Sequence, residues 1–161
     1  MIHDQQNGPP PYAAAVTVFL LTSVFFFNFL GRLNLAPFMV QVENEFSISH
    51  SQAGRLFLII SLGYSSALFL SGFVSSKLCH RKSVILSSGI LGLTLILLYF
   101  TPSLVWLKTL LFFLGFGGGL YLPSGITMIT SVLSSRHWGK GLAVHEIAPN
   151  ASFVIAPAIA A

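Results

Sequence analysis

Long apolar stretches separated by short polar segments make up most of this chain. Aspartate, glutamate, lysine and arginine are absent from five windows: residues 5–31, 56–76, 83–107, 109–135 and 147–161. The first four windows each hold at least 21 residues, and about 20 apolar residues suffice for a helix to cross a bilayer. Because the windows are continuously apolar and do not alternate with polar residues, the pattern predicts helices rather than barrel strands.

The fold class predicted from this pattern is an all-α membrane protein with a bundle of about five transmembrane helices. The helices are expected at residues 13–39, 53–75, 83–101, 104–133 and 141–161, after an N-terminal tail of residues 1–12. The tail has no basic segment and the apolar run after it is too long for a signal peptide, so the first helix is expected to be retained. Ser49 and Gln52 form the pattern of a capping box that opens the second helix.

Composition removes several other classes of protein. Hydrophobic residues make up 54% of the chain and charged residues 7%, whereas soluble domains average about 25% charged residues. Cys79 is the only cysteine, so no disulfide can form within the chain. The net charge is +4, but there is no basic stripe and no base-stacking motif, so nucleic acid is not an expected partner. The expected environment is a lipid bilayer.

Basic residues also predict the orientation in the membrane. Five of them lie in two loops on the same side of an alternating bundle: Lys77, Arg81, Lys82, Arg136 and Lys140. The opposite side has only Arg55 and Lys108, near the acidic Glu43 and Glu45. Since cytoplasmic loops are enriched in Lys and Arg, we expect a multi-pass protein of the cell (inner or cytoplasmic) membrane with a cytoplasmic N-terminus.

Arg32 is the strongest candidate for a functional residue within a span. It follows eleven large apolar residues that each favour insertion by about 0.3 to 0.6 kcal/mol, which outweighs the cost of about 2.5 to 3.5 kcal/mol for a central arginine. Asn28 lies one turn earlier on the same helix face. Two interpretations remain open: the pair binds an anionic substrate in a central cavity, or Arg32 lies near the outer end and snorkels to the headgroups.

His145 and Glu146 are candidates for ion coupling. Glu146 is the only carboxylate inside a predicted span, and such a group can carry a coupling proton. The structural alternative, which we favour at this point, places both residues in the first turn of the fifth helix, close to cytoplasmic water. A zinc-protease helix is excluded because Pro149 stands where its second histidine would be.

The glycine-rich segment of residues 115–119 resembles a dinucleotide-binding loop only superficially. No strand precedes it, no acidic residue follows at the required distance, and it lies inside an uncharged window. Gly115 and Gly119 form a GxxxG pair, which predicts close helix packing. No metal, no cofactor and no catalytic nucleophile-and-base set is indicated, so we do not expect an enzyme.

Between the second and third predicted helices the sequence reads Gly72-Phe73-Val74-Ser75-Ser76-Lys77-Leu78-Cys79-His80-Arg81-Lys82. This segment resembles the signature of the major facilitator superfamily. That signature is a glycine, three residues and then Asp-Arg-x-Gly-Arg-Arg/Lys. Its counterparts in this chain, which the resemblance implies form a conformational gate, are Gly72, Ser76, Lys77, His80 and Arg81. Ser76 replaces the acidic residue and Cys79 replaces the second glycine, so the charge of the family's usual latch is missing.

The flanking segments extend the resemblance over nearly the whole chain. Residues 31–37 and 45–54 are similar to the family's first helix and outer loop, and residues 115–123 and 138–141 to its fourth helix and the following loop. The resemblance covers about five of twelve helices, so the chain is expected to be the N-terminal portion of a transporter whose C-terminal half is missing. Residues 141–161 lack the family's antiporter signature.

The resemblance implies a secondary active transporter for a small-molecule solute that works by alternating access. The arginine at position 32 makes the chain similar to family members that carry organic anions or sugar phosphates, often as symporters. An alternative function is a small multi-pass membrane scaffold or subunit without transport activity.

Overall fold

The computed structural model describes residues 10–160, and all of its regular structure is helical. The helices are α1 (Pro11–Leu33), α2 (Met39–Phe46), α3 (His50–Lys77), α4 (His80–Tyr99), α5 (Leu104–Val132), α6 (Trp138–His145) and α7 (Ile147–Ala160), with a 3-10 turn at Ser135–His137. Residues 1–9, which include most of the predicted tail, lie outside the described residues. Among the described residues, five helical segments are long and apolar enough to cross a membrane. The predicted fold class is confirmed.

The first helix is shorter than its prediction, because it ends at Leu33 rather than at residue 39. Pro37 has no N–H to donate to the carbonyl of Leu33, and its ring would collide with that carbonyl in a continued helix. A turn follows, and then the short helix α2. The carboxylate of Glu43 lies 2.8 Å from Nδ1 of His50, at the start of α3.

Helix α3, which is the second of the predicted membrane helices, begins at the capping box expected from its sequence. The Ser49 hydroxyl accepts from the backbone N–H of Gln52, and the Gln52 side chain accepts from the backbone N–H of Ser49. Ser47, just before it, has a left-handed backbone with φ of 50°, which lets the chain reverse between α2 and α3.

The last predicted helix is interrupted. It begins at Trp138 rather than at residue 141, breaks at Glu146 and resumes as α7. Pro149 explains the break, since it cannot donate to the carbonyl of His145 four residues earlier. The break places His145 and Glu146 at a junction between two helices rather than inside one.

Helix α5 is the central element, and more than half of its most apolar segment is buried. Helices α3 and α4 pack along it, while α1 packs against both α5 and α7. A Cβ atom at Gly63 of α3 would overlap the carbonyl oxygen of Phe112, and one at Gly115 would overlap that of Ile60. The two helices are therefore in backbone contact, which only residues without a side chain permit.

Candidate functional site

Arg32 lies between helices α1, α3 and α5. Its Cζ atom is 4.7 Å from the ring centre of Phe29 and 5.0 Å from that of Tyr64. Its Nε donates to the carbonyl oxygen of Asn28 at 3.4 Å. An arginine between two aromatic faces is held by cation–π attraction while its outer nitrogens stay available to a ligand.

The guanidinium lies deeper in the bundle than its position in the sequence indicates. Arg32 is the second-to-last residue of α1, but long helical side chains point back towards the N-terminus of their helix. Its neighbours are Tyr64, midway along α3, and Gly118, midway along α5. This mid-depth position differs from that of an arginine that snorkels to the headgroups.

Asn28 and Arg32 carry buried polar atoms without hydrogen-bond partners among the described residues. These atoms are Nδ2 and Oδ1 of Asn28 and Nη2 of Arg32. Asn28 is only 1% exposed, and an unpaired buried polar group costs about 1 to 3 kcal/mol. Two nitrogen donors on one face, one of them charged, have the chemistry that binds an oxyanion.

His145 forms a second buried cluster, next to the first. Its ring stacks on Phe25 of α1 at 4.3 Å between ring centres and lies parallel to the ring of Tyr121 of α5 at 5.8 Å. The Tyr121 hydroxyl donates to the carbonyl oxygen of Leu21 at 2.6 Å and lies 3.1 Å from Nε2 of His145. The three helices α1, α5 and α6 thus meet at one imidazole.

The hydrogen bonds of this cluster indicate which imidazole nitrogen carries the proton. Since the single hydroxyl proton of Tyr121 goes to Leu21, the Tyr121 oxygen accepts from Nε2–H of His145. Nδ1 then faces Oε1 of Glu146 at 3.5 Å. His145 is fully buried, whereas the Glu146 side chain is 58% exposed. Nδ1 has no hydrogen-bond partner among the described residues, so the pair places a buried base next to an exposed carboxylate without a hydrogen bond between them.

The two clusters are joined by aromatic contacts along α1. The rings of Phe25 and Phe29 pack edge to face, with 5.8 Å between their centres. Phe25 contacts the imidazole, and Phe29 contacts the guanidinium. A shift of α1 would therefore act on both clusters.

The predicted gate residues lie at the end of the bundle where α3 turns into α4. Gly72, Ser76 and Lys77 are in the last turns of α3, and His80 and Arg81 open α4. Nδ1 of His80 is 3.4 Å from the hydroxyl of Ser124 on α5. Within residues 10–160, no carboxylate lies within 4.0 Å of the charged atoms of Lys77 or Arg81.

Four surface cavities of the bundle are lined by residues other than Arg32 and Asn28. One of these cavities, of about 640 Å³, lies between the end of α1, α2, α4 and α5, with Asn34, Glu45 and Tyr99 among its lining residues. In the described part of the chain, no three His, Cys, Asp or Glu side chains converge as a metal site would require.

Sequence reasoning missed both tyrosines of the site. Tyr64 and Tyr121 lie well inside α3 and α5, whereas membrane tyrosines concentrate at the interfaces. A tyrosine in the middle of a predicted span is unusual, and this position in the sequence could have identified both residues as candidates. Gly118 was also missed, because the sequence does not tell which neighbour each glycine of the run faces.

Comparison with known proteins supports one family over most of the chain. Residues 21–161 match the model of the Major Facilitator Superfamily. The probable sulfoacetate transporter SauU of Cupriavidus necator is 25% identical over 138 residues, covering 84% of this chain and 32% of that protein. An uncharacterized MFS-type transporter, YwfA of Bacillus subtilis, is 21% identical over 141 residues, covering 85% of this chain and 33% of that protein. No solved structure gives a significant match. The chain thus spans about a third of the length of these relatives.

Proposed function

The chain belongs to the major facilitator superfamily, and from this premise we propose that it is a segment of a secondary active transporter for a small organic anion. The observation that carries the proposal is the mid-depth guanidinium of Arg32 beside the unpartnered amide of Asn28. Within residues 10–160 this guanidinium has no carboxylate partner. A buried cation without such a partner is costly, and an anionic substrate would neutralise it.

Arg32 and Asn28 bind the anion in this proposal. The Arg32 Nη2 and the Asn28 Nδ2 donate to its oxygens, while Phe29 and Tyr64 hold the guanidinium between their rings. The similarity to a probable sulfoacetate transporter supports a substrate with sulfonate or carboxylate oxygens. The opposite wall of the site comes from the C-terminal half of the transporter, which rocks against this segment to alternate access.

In this proposal His145 and Glu146 carry a coupling proton. The proton moves in the same direction as the anion, a symport, since residues 141–161 lack the antiporter signature. The support is the 3.5 Å contact between a fully buried imidazole and an exposed carboxylate. Within the described residues, the other titratable group that contacts His145 is Tyr121 of α5, and α1 presents Phe25 and the carbonyl of Leu21 to this cluster. A proton taken up at Glu146 reaches an imidazole that packs directly on α1.

The gate and the orientation follow from the distribution of charge. Lys77 and Arg81 are exposed at the same end of the bundle as Arg136 and Lys140. This end is cytoplasmic in our proposal, so that the N-terminus is cytoplasmic in the inner (cytoplasmic) membrane. Gly72, Ser76 and His80 complete the gate, and the carboxylate that its cations need comes from outside the described residues.

Thiol accessibility at position 32 tests the anion site. In a complete transporter that contains this segment, Arg32→Cys is combined with Cys79→Ala, since Cys79 is exposed. We expect the new thiol to react with a membrane-impermeant methanethiosulfonate, because a substrate site must open to water.

Leu93→Cys is the matched control, because Leu93 is 59% exposed in the middle of α4. Its thiol should stay unmodified in the hydrocarbon. If the thiol introduced by Arg32→Cys reacts as slowly as the one introduced by Leu93→Cys, the substrate role of Arg32 is wrong.

A further inference from the structure

Each glycine in the 115–119 run of α5 faces a different neighbour. A Cβ atom at Gly115 would meet the backbone of α3 at Ile60, and one at Gly119 would meet α3 at Tyr64. A Cβ atom at Gly117 would lie 3.2 Å from the backbone nitrogen of Leu91 on α4. These three glycines therefore serve helix packing.

Gly118 differs, because its neighbours are the polar side-chain atoms of the anion site. A Cβ atom there would lie 2.9 Å from Nε and 3.0 Å from Cζ of Arg32, and 3.1 Å from Oδ1 of Asn28. These distances are too short for ordinary contact. The absence of a side chain at this position is what lets the guanidinium and the amide rest on α5.

Both crowded groups are ends of flexible side chains rather than backbone. An added methyl group would therefore displace the guanidinium and the amide and leave the helices in place. Arg32 has little room to move sideways, since Phe29 and Tyr64 cover it at 4.7 and 5.0 Å. The displacement would also strain the 3.4 Å bond from Nε to the carbonyl of Asn28.

We propose that Gly118 is a positioning residue that determines anion affinity by setting where Arg32 and Asn28 present their donors. This inference rests on the proposed function. Gly118 does not touch the anion through a side chain; it acts through the two residues that lie against it.

The first experiment observes the position of Arg32 without any substrate. The chain has four arginines, at positions 32, 55, 81 and 136, so selective ¹⁵N labelling gives a simple NMR spectrum of the Nε–H groups in detergent. Loss of one signal in Arg32→Lys identifies the Arg32 peak. We expect Gly118→Ala to shift that peak and Gly117→Ala, a matched substitution that faces α4, to leave it in place.

The second experiment measures sulfoacetate uptake by the complete transporter. Gly118→Ala should raise KM at least about tenfold, the effect of one weakened charge-assisted hydrogen bond, with little change in the maximal rate. Gly117→Ala should change KM less than about twofold. In an Arg32→Lys background, Gly118→Ala should raise KM by a smaller factor than in the wild type, because lysine lacks the crowded Nε and Cζ atoms and only Asn28 remains to be displaced.

The outcomes separate the inference from the function on which it rests. An unshifted Arg32 signal in Gly118→Ala would overturn the positioning role, and so would an unchanged KM despite a shifted signal. A wild-type transporter that takes up no sulfoacetate would contradict the proposed substrate class, and the NMR comparison would then decide whether Gly118 positions Arg32.

Discussion

Helix α5 meets two of its neighbours, α3 and α1, in different ways. Against α3 it places bare backbone on bare backbone, at Gly63 and Gly115. Against α1 it places polar side chains, with Arg32 and Asn28 resting on Gly118 and the Tyr121 hydroxyl donating to the Leu21 carbonyl at 2.6 Å. The first contact leaves no room for side chains between the helices, whereas the second holds the polar groups that bind the anion and the proton in the proposed function.

In the proposed function, the contact of α5 with α3 serves stability and its contact with α1 serves binding. Close backbone packing gains dispersion energy over many atoms, and it leaves no polar group unsatisfied. The α1 contact retains unpartnered atoms of Asn28 and Arg32 that cost stability. A cost of this kind is typical of a functional site, where stability is given up for binding.

The largest expected effect comes from breaking the α3 contact. Gly115→Leu forces a side chain into the backbone of Ile60, and we expect a loss of about 3 kcal/mol or more in unfolding free energy. Titration with SDS, followed by circular dichroism, measures it. Gly92→Leu is the control, because nothing lies within 4 Å of a Cβ atom at Gly92. Equal stability of the two variants would contradict the close α3–α5 packing.

A smaller effect is expected from His145→Gln, which tests the coupling role that we propose for His145 at the α1 contact. In vesicles with an acidic exterior, this variant should lose the stimulation of uptake by the proton gradient, roughly tenfold for a positioned proton carrier. His137→Gln is the matched control, since His137 is exposed. Retained stimulation in His145→Gln would remove His145 from the proposed coupling.

The smallest expected effect has the opposite sign. Asn28→Leu replaces two unpartnered buried atoms by apolar ones, so we expect unfolding free energy to rise by about 1 kcal/mol. Uptake of the proposed anionic substrate should fall at the same time. Asn150→Leu serves for comparison, because Nδ2 of Asn150 already donates to the Glu146 carbonyl at 2.7 Å. A destabilised Asn28→Leu would mean that this amide has a structural role.

Charge-free windows were enough to predict the fold class, because the bilayer admits only helices or closed barrels and the runs did not alternate. The resemblance at Gly72, Lys77 and Arg81 identified the family that residues 21–161 match. The capping box at Ser49 was also predictable, because its hydrogen bonds join residues three apart in the chain.

Helix ends and small-residue patterns were less predictable. Proline fixed the end of α1 at Leu33, but no periodicity locates such an end to within a residue. Helix α3 makes its close contact with α5 at Gly63. Ser61 and Ser65 on the same helix are also small, but they are exposed. Small residues permit close packing on any face, and the neighbouring helices determine which face is used.

Local sequence was sufficient for whatever depends on hydrophobic length, charge spacing and neighbouring residues: the membrane helices, their caps and the candidate Arg32. The depth of the Arg32 guanidinium in the bundle and the pairing of His145 with Tyr121 depended on packing between helices. Tyr121 lies 24 residues from His145 and 100 from Leu21 along the chain. Contacts of that kind arise only when separate helices pack together, because the register of one helix against another is set by the shapes of both surfaces.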